Sequence, residues 1–210
     1  MWPRDERGLG DGRGLGDGRG LGDAGLFVPD APTWGMIDVG VKAPDFIAPA
    51  VSDGTGVELE LYRLVDTNRA VVVSFAPANF VPTCTAAFAA IRDAGWHDHP
   101  DLAVVAVTGD SLFSGFAYAD RFDLPFPIVS DFHGGVADSY DLLAESWEGH
   151  SEIPRRATVV IDGDWTVRSA EATTDALDRP APAPVENATA TLREIGLDVD
   201  RPRVEYDGAW

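Results

Sequence analysis

The sequence predicts a three-layer α/β domain built on a mixed sheet. Three observations carry this. Apolar, β-branched runs alternate with amphipathic stretches of helical period. A tight hairpin signal, Gly163-Asp164, follows them in place of another strand–helix unit. A chain of 210 residues with 45% hydrophobic content can also bury a full core without staples.

The elements follow in order. Ala70 to Phe75 is a β-branched run ended by Ala76-Pro77 and reads as a central strand. Thr83 to Ala94 reads as a helix with Phe88, Ile91 and Ala94 on its apolar face. Asp101 to Thr108 is the next buried strand, carrying Val104, Val105 and Val107. Leu112 to Phe122 is an amphipathic helix, and Gly109-Asp110-Ser111 before it reads as a strand end leading into a helix cap. Phe126 to Val129 is a short strand, and Val136 to Leu143 is read as helical. Thr158 to Asp162 and Trp165 to Arg168 pair around Gly163-Asp164, and Pro184 to Ile195 is a last helix.

The organisation is a domain over residues 36–197 with two flanks. Residues 1–35 hold a repeat in which Arg7-Gly8-Leu9-Gly10-Asp11-Gly12 recurs twice before decaying. So Gly-rich a segment cannot offset its backbone entropy by burial and is read as disordered. It falls outside the chain altogether if translation starts at Met36. Residues 198–210 read as a loose, acidic C-terminal tail.

Charge bounds the partners. The net charge of −19 argues against nucleic acid and anionic membranes, which need clustered Lys and Arg. Lys42 is the only lysine, and Asp greatly outnumbers Glu. This resembles the acidic bias of salt-in halophiles. The start has no apolar signal core and no run reaches membrane-span length, so a cytoplasmic setting is expected. His97-Asp98-His99 reads as a solvated loop, and no metal or cofactor is expected.

Cys84 is the only cysteine, which excludes an internal disulfide and any paired redox motif. It falls just after a buried strand, in the first turn of a helix. Free N–H groups and the helix dipole there favour a thiolate, so a lowered pKa is expected. Pro77 ends the strand and shapes the loop into the helix.

Pro77-Ala78-Asn79-Phe80-Val81-Pro82-Thr83-Cys84 resembles the peroxiredoxin motif of Pro, three residues, Thr or Ser, two residues, Cys. Further stretches agree in order. Gly40 to Phe46 is similar to the family's opening Gly-x-x-Ala-Pro-Asp-Phe, and Ile91-Arg92-Asp93 to its Leu-Arg-Asp. Asp110 to Ser114 is similar to its Asp-Ser-x-Phe-Ser, and Phe126 to Asp131 to its Phe-Pro-x-x-Ser-Asp. Arg156 to Asp162 is similar to its Arg-Gly-Thr strand. The resemblance spans about Met36 to Ile195. It implies a thioredoxin-like fold and thiol-based reduction of hydrogen peroxide or organic hydroperoxides. Cys84 would be the nucleophile, Arg156 would hold its thiolate and contact the peroxide, and Pro77 would shape the site. Arg155 is the competing arginine, and strand alternation lets only one of the two face the cysteine.

Two positions depart from the pattern. Val81 stands where the family has a hydroxyl that bonds the peroxide, and Ala87 stands where it has Glu. Thr83 is a neighbouring source of a hydroxyl, so Val81 and Thr83 are the candidate pocket residues. With no second cysteine, the sulfenic acid must be reduced by an external thiol or a thioredoxin-like protein. A homodimer is in keeping with the family. The alternative is a catalytically weakened redox-sensing or binding protein of the same fold, with Val81 the cause.

Overall fold

The computed structural model describes residues 35–206. The Gly-rich repeat and the last four residues lie outside the described residues. Among the described residues nine strands form, in order, β1 (Ile47–Ser52), β2 (Thr55–Glu60), β3 (Ala70–Ala76), β4 (Leu102–Thr108), β5 (Ile128–Ser130), β6 (Leu143–Trp147), β7 (His150–Pro154), β8 (Ala157–Asp162) and β9 (Val167–Ala172). The α-helices are α1 (Leu61–Thr67), α2 (Pro82–Asp93), α3 (Leu112–Phe122), α4 (Gly135–Ser139) and α5 (Pro184–Glu194).

Seven strands make one mixed sheet in the order β2-β1-β5-β4-β3-β8-β9. β3, β4 and β5 are parallel because α2 and α3 carry the chain back between them. β8 then pairs antiparallel to β3, which places Phe75 opposite Ala157 at the head of the sheet. β3 is buried along its whole length, as its near-continuous apolar run requires. Its alternation divides the core. Val72 joins Val104, Val160, Phe88, Tyr118 and Leu192 on the face covered by α2, α3 and α5. Val71 and Val73 join Val105, Ile161, Leu61 and Tyr140 on the opposite face, under α1 and α4. The three layers are those the sequence predicts. No helix among the described residues is long and apolar enough to cross a membrane.

Several local expectations are corrected. The helix read over Val136 to Leu143 ends at Ser139. Asp141 takes the left-handed conformation at φ 54°, and Leu142 N–H reaches back 2.8 Å to the Ala137 carbonyl. This closes a Schellman motif, and Leu143 is then free to begin β6. The hairpin after β8 is wider than a two-residue Gly163-Asp164 turn. Trp165 N–H bonds the Asp162 carbonyl at 2.9 Å and Trp165 sits at φ 63°, so a three-residue loop with a bulge delays β9 to Val167. The β1–β2 and β6–β7 hairpins and α1 are additional. Asp53-Gly54 and Glu148-Gly149 supply the two positive-φ pairs that turn the hairpins.

The tail read as loose is packed over residues 198–206. Leu197 and Val199 belong to the α2-side core, and Val204 packs on it. Trp96, itself buried, donates its indole N–H to the Asp200 carbonyl at 2.7 Å. Arg193 donates to the Val199 carbonyl at 2.9 Å. The acidic residues between these anchors face outward, which is why composition alone suggests a free extension.

Candidate functional site

β3 delivers the chain to the site at Ala76, and Pro77 ends the strand. Asn79 N–H then donates to Asp110 Oδ2 at 2.7 Å, and Asn79 Nδ2 donates to Ser114 Oγ at 3.0 Å. These bonds tie the loop to the start of α3, where Ser111 caps the helix by accepting from Ser114 N–H at 3.4 Å. Phe80 follows at φ 63°, an uncommon conformation for a bulky residue. Its ring is held edge-on against Tyr118, 5.0 Å between centroids. Val81 is the N-cap of α2, is buried, and makes no side-chain cap. Pro82 takes the first helical position, where its missing N–H costs nothing.

The loop leaves no room beneath Pro77. A Cβ on Gly109 would come within 2.6 Å of the Pro77 carbonyl oxygen and 2.9 Å of Pro154 Cδ. Neither atom belongs to a flexible side chain. Gly109→Ala is therefore expected to destabilise the fold by about 1–3 kcal/mol, read as a lower urea midpoint. An unchanged midpoint would show that the loop yields.

Cys84 is the third residue of α2 and is 1% exposed. The lowered pKa expected from the helix terminus does not hold. Burial pushes the thiol up to about 12, against the opposing pull of the Arg156 charge. The thiolate loses its hydration inside a packed core, and a helix end plus one cation does not replace it.

Arg156 immediately precedes β8 and is 4% exposed. Cys84 and Arg156 line one small cavity of about 10 Å³, with Ser74, Thr158 and Ala87. The guanidinium donates from Nη1 to the Asp178 carbonyl at 2.6 Å and the Ala176 carbonyl at 3.4 Å. Nη2 donates to the Tyr206 hydroxyl at 3.0 Å. No carboxylate lies within ion-pair distance of Arg156 among the described residues. A buried guanidinium bonded only to neutral acceptors is a site for an anion. Arg155 instead donates to the Gly35 carbonyl at 2.9 Å and the Thr173 carbonyl at 3.4 Å. Both arginines lie between β7 and β8, so strand alternation does not separate them; Arg156 is the one that lines the cavity with Cys84.

The other predicted residues are placed as follows. Thr83 is buried and donates its hydroxyl to the Ala176 carbonyl, the same oxygen that Arg156 approaches. Thr85 is turned away and shares its hydroxyl with Tyr118 at 2.8 Å. Pro77 lies outside the Cys84 cavity. It lines a neighbouring space of about 170 Å³ that shares only Arg156 with it. His99 Nδ1 accepts from Asp101 N–H at 3.2 Å, and His97 approaches Asp98 at 3.3 Å. Tyr206 was missed because it lies in a polar tail. Its only signal was the sparse apolar set Val199, Val204 and Tyr206.

The pattern of the AhpC/TSA family matches residues 39–170. A chloroplastic 2-cysteine peroxiredoxin of Chattonella marina is 30% identical over 175 residues, 79% of this chain and 84% of that protein. A peroxiredoxin of Thermoplasma volcanium is 32% identical over 139 residues, and the match spans 62% of this chain and 63% of that one. The crystal structure of peroxidoxin BcpB from Mycobacterium tuberculosis superposes with a TM-score of 0.64 at 28% identity, covering 76% of this chain and 98% of that chain. The strand order, the cysteine at the head of α2 and the arginine facing it fit this likeness, and the chain belongs to the AhpC/TSA family of peroxiredoxins, thiol-dependent peroxidases.

Proposed function

We propose that the chain reduces hydroperoxides through Cys84 alone, with the reducing thiol supplied from outside. One observation carries the reading: the only cysteine and a buried arginine with no carboxylate partner among the described residues share one cavity at the head of α2. In the reaction the Cys84 thiolate attacks one peroxide oxygen and the O–O bond breaks. The leaving oxygen takes a proton and departs as water or alcohol, and the sulfur keeps the other oxygen as sulfenic acid. Arg156 supplies N–H donors and positive charge where the leaving oxygen becomes anionic. An external thiol then condenses with the sulfenic acid, releasing water. A second thiol frees Cys84 and leaves as disulfide.

A cavity of about 10 Å³ holds at most one water. Peroxide entry therefore requires the cover to move. That cover includes Pro184 and Val185 at the start of α5, which wall the cavity. The second reading is a redox-sensing or binding protein with slow turnover. The sealed thiol and the missing hydroxyl at Val81 favour it. Cytoplasmic placement and a homodimer complete the proposal, and sedimentation velocity reads the latter.

Stopped-flow mixing of the reduced protein with peroxide, following sulfenic acid at Cys84, tests the reading. A rate per thiolate well above that of a free thiolate supports it. A rate per thiolate equal to that of a free thiolate overturns it in favour of the second reading. Val81→Thr restores the hydroxyl and is expected to speed the reaction about tenfold or more. It should also raise stability by about 1 kcal/mol, since Thr at an N-cap accepts from the first-turn N–H groups.

A further inference from the structure

Tyr206 is the single described side chain of the C-terminal segment that reaches the site. Its hydroxyl accepts from Arg156 Nη2 at 3.0 Å and donates to the Pro180 carbonyl at 3.4 Å. Its ring lies under two guanidinium groups, 5.7 Å from Arg156 and 5.9 Å from Arg179. The segment that carries it is fixed independently by Trp96, Arg193 and the core positions of Leu197 and Val199. Tyr206 is thus presented to Arg156 by an anchored strap.

A guanidinium has five N–H donors in a rigid plane. Two Nη1 bonds and one Nη2 bond hold three of them on Asp178, Ala176 and Tyr206. The bonds on one side of the plane fix where the remaining two point, and the cavity shared with Cys84 lies alongside. Ala176 and Asp178 accept through backbone carbonyls of the loop between β9 and α5. Tyr206 is the one of the three partners that binds through a side chain, and it comes from the C-terminal strap.

We infer that Tyr206 is a positioning residue: through its hydroxyl the C-terminal strap keeps Arg156 aimed at Cys84. The inference rests on the peroxidase reading for its purpose, but not for its test. The charged and titratable groups about the sulfur are Arg156 beside β8 and Tyr118 from α3, with Tyr206 and Arg179 behind Arg156.

Tyr206→Phe keeps the ring and removes the hydroxyl, and Tyr206→Ala removes both. Each is compared with wild type for oxidation by hydrogen peroxide and for alkylation by iodoacetamide across a pH series. Tyr206→Phe is expected to slow both reactions about tenfold at a given pH, moving the rate curve to higher pH, with Tyr206→Ala slower still. In an Arg156→Ala background the Tyr206 substitutions are expected to change nothing further. A strap that merely closes the site would do the opposite, since loosening it would raise both rates. Unchanged or faster alkylation in Tyr206→Phe overturns the inference, as does an equal effect in the Arg156→Ala background. Slower alkylation in Tyr206→Phe with no fast peroxide reaction in wild type upholds the positioning role and overturns the peroxidase reading alone.

Discussion

Arg156→Ala is expected to lower the second-order rate of Cys84 oxidation by about 100-fold or more, the scale of losing a buried donor to developing negative charge. No neighbour can take over the role. Arg155 donates to the Gly35 and Thr173 carbonyls and does not line the Cys84 cavity. Arg179 stands behind Tyr206 and outside the Cys84 cavity. Arg156 is also the only cation whose charge draws the thiol pKa down, so its loss removes thiolate as well as transition-state stabilisation. The same substitution strands the Asp178 carbonyl and the Tyr206 hydroxyl. A stability loss of about 1–3 kcal/mol is expected beside the kinetic one. Arg156→Lys separates the two, because it keeps the charge as a single point and loses the planar fork. It should recover part of the rate. Stopped-flow oxidation paired with urea unfolding reads both quantities. A folded Arg156→Ala protein that still reacts quickly would remove Arg156 from the mechanism.

The parts of this fold legible in the sequence are those where one physical demand dominates. β3 and β4 are buried on both faces, so their valine runs announce them. α3 is amphipathic, begins at a Ser N-cap and matches its expected bounds. Cys84, Pro77 and Arg156 stand in an ordered set of motifs; of these the structure brings Cys84 and Arg156 to one cavity, while Pro77 lies outside it. What escaped lacks any such dominating demand in its composition. β1 contains Pro49, and β2 is largely exposed with Glu58 and Glu60, so neither shows strand composition although Asp53-Gly54 marks their turn. β6 and β7 are mostly polar and are recognisable only by Glu148-Gly149. Tyr206 depends on a strap whose anchors, Trp96 and Arg193, lie far back in the chain. The thiol pKa escaped because the helix terminus is local and visible, whereas the burial that outweighs it comes from Pro184 and Val185 of α5 and from Ala157 and Thr158 of β8.

That burial yields the second large effect. In the reduced protein, reaction of Cys84 with iodoacetamide or peroxide is expected to climb about tenfold per pH unit from neutrality, without a plateau below about pH 9. With the thiol pushed up to about 12, the thiolate fraction at pH 7 is on the order of 10⁻⁵. Reaction through an opened site does not change the slope. As long as the closed thiol is the dominant species, each tenfold fall in proton concentration raises the reactive thiolate tenfold. Stability carries the same signature with a definite sign. The unfolded thiol ionises near 9.0 and the folded one near 12, so between these values the native state holds a proton that the unfolded chain has lost. The contribution is fully present below pH 9 and disappears as the pH rises towards 12, amounting to roughly 4 kcal/mol. Tyr118 and Tyr140, buried and likewise pushed up, act in the same direction at higher pH. Cys84→Ala retains both tyrosines and lacks the thiol, so the difference between wild type and this variant isolates the cysteine. Urea unfolding of the pair at increasing pH should show the wild-type advantage shrinking above pH 9. A constant difference, or a reaction rate that levels off near neutrality, would mean that Arg156 and the helix terminus prevail over burial and that Cys84 rests as the thiolate.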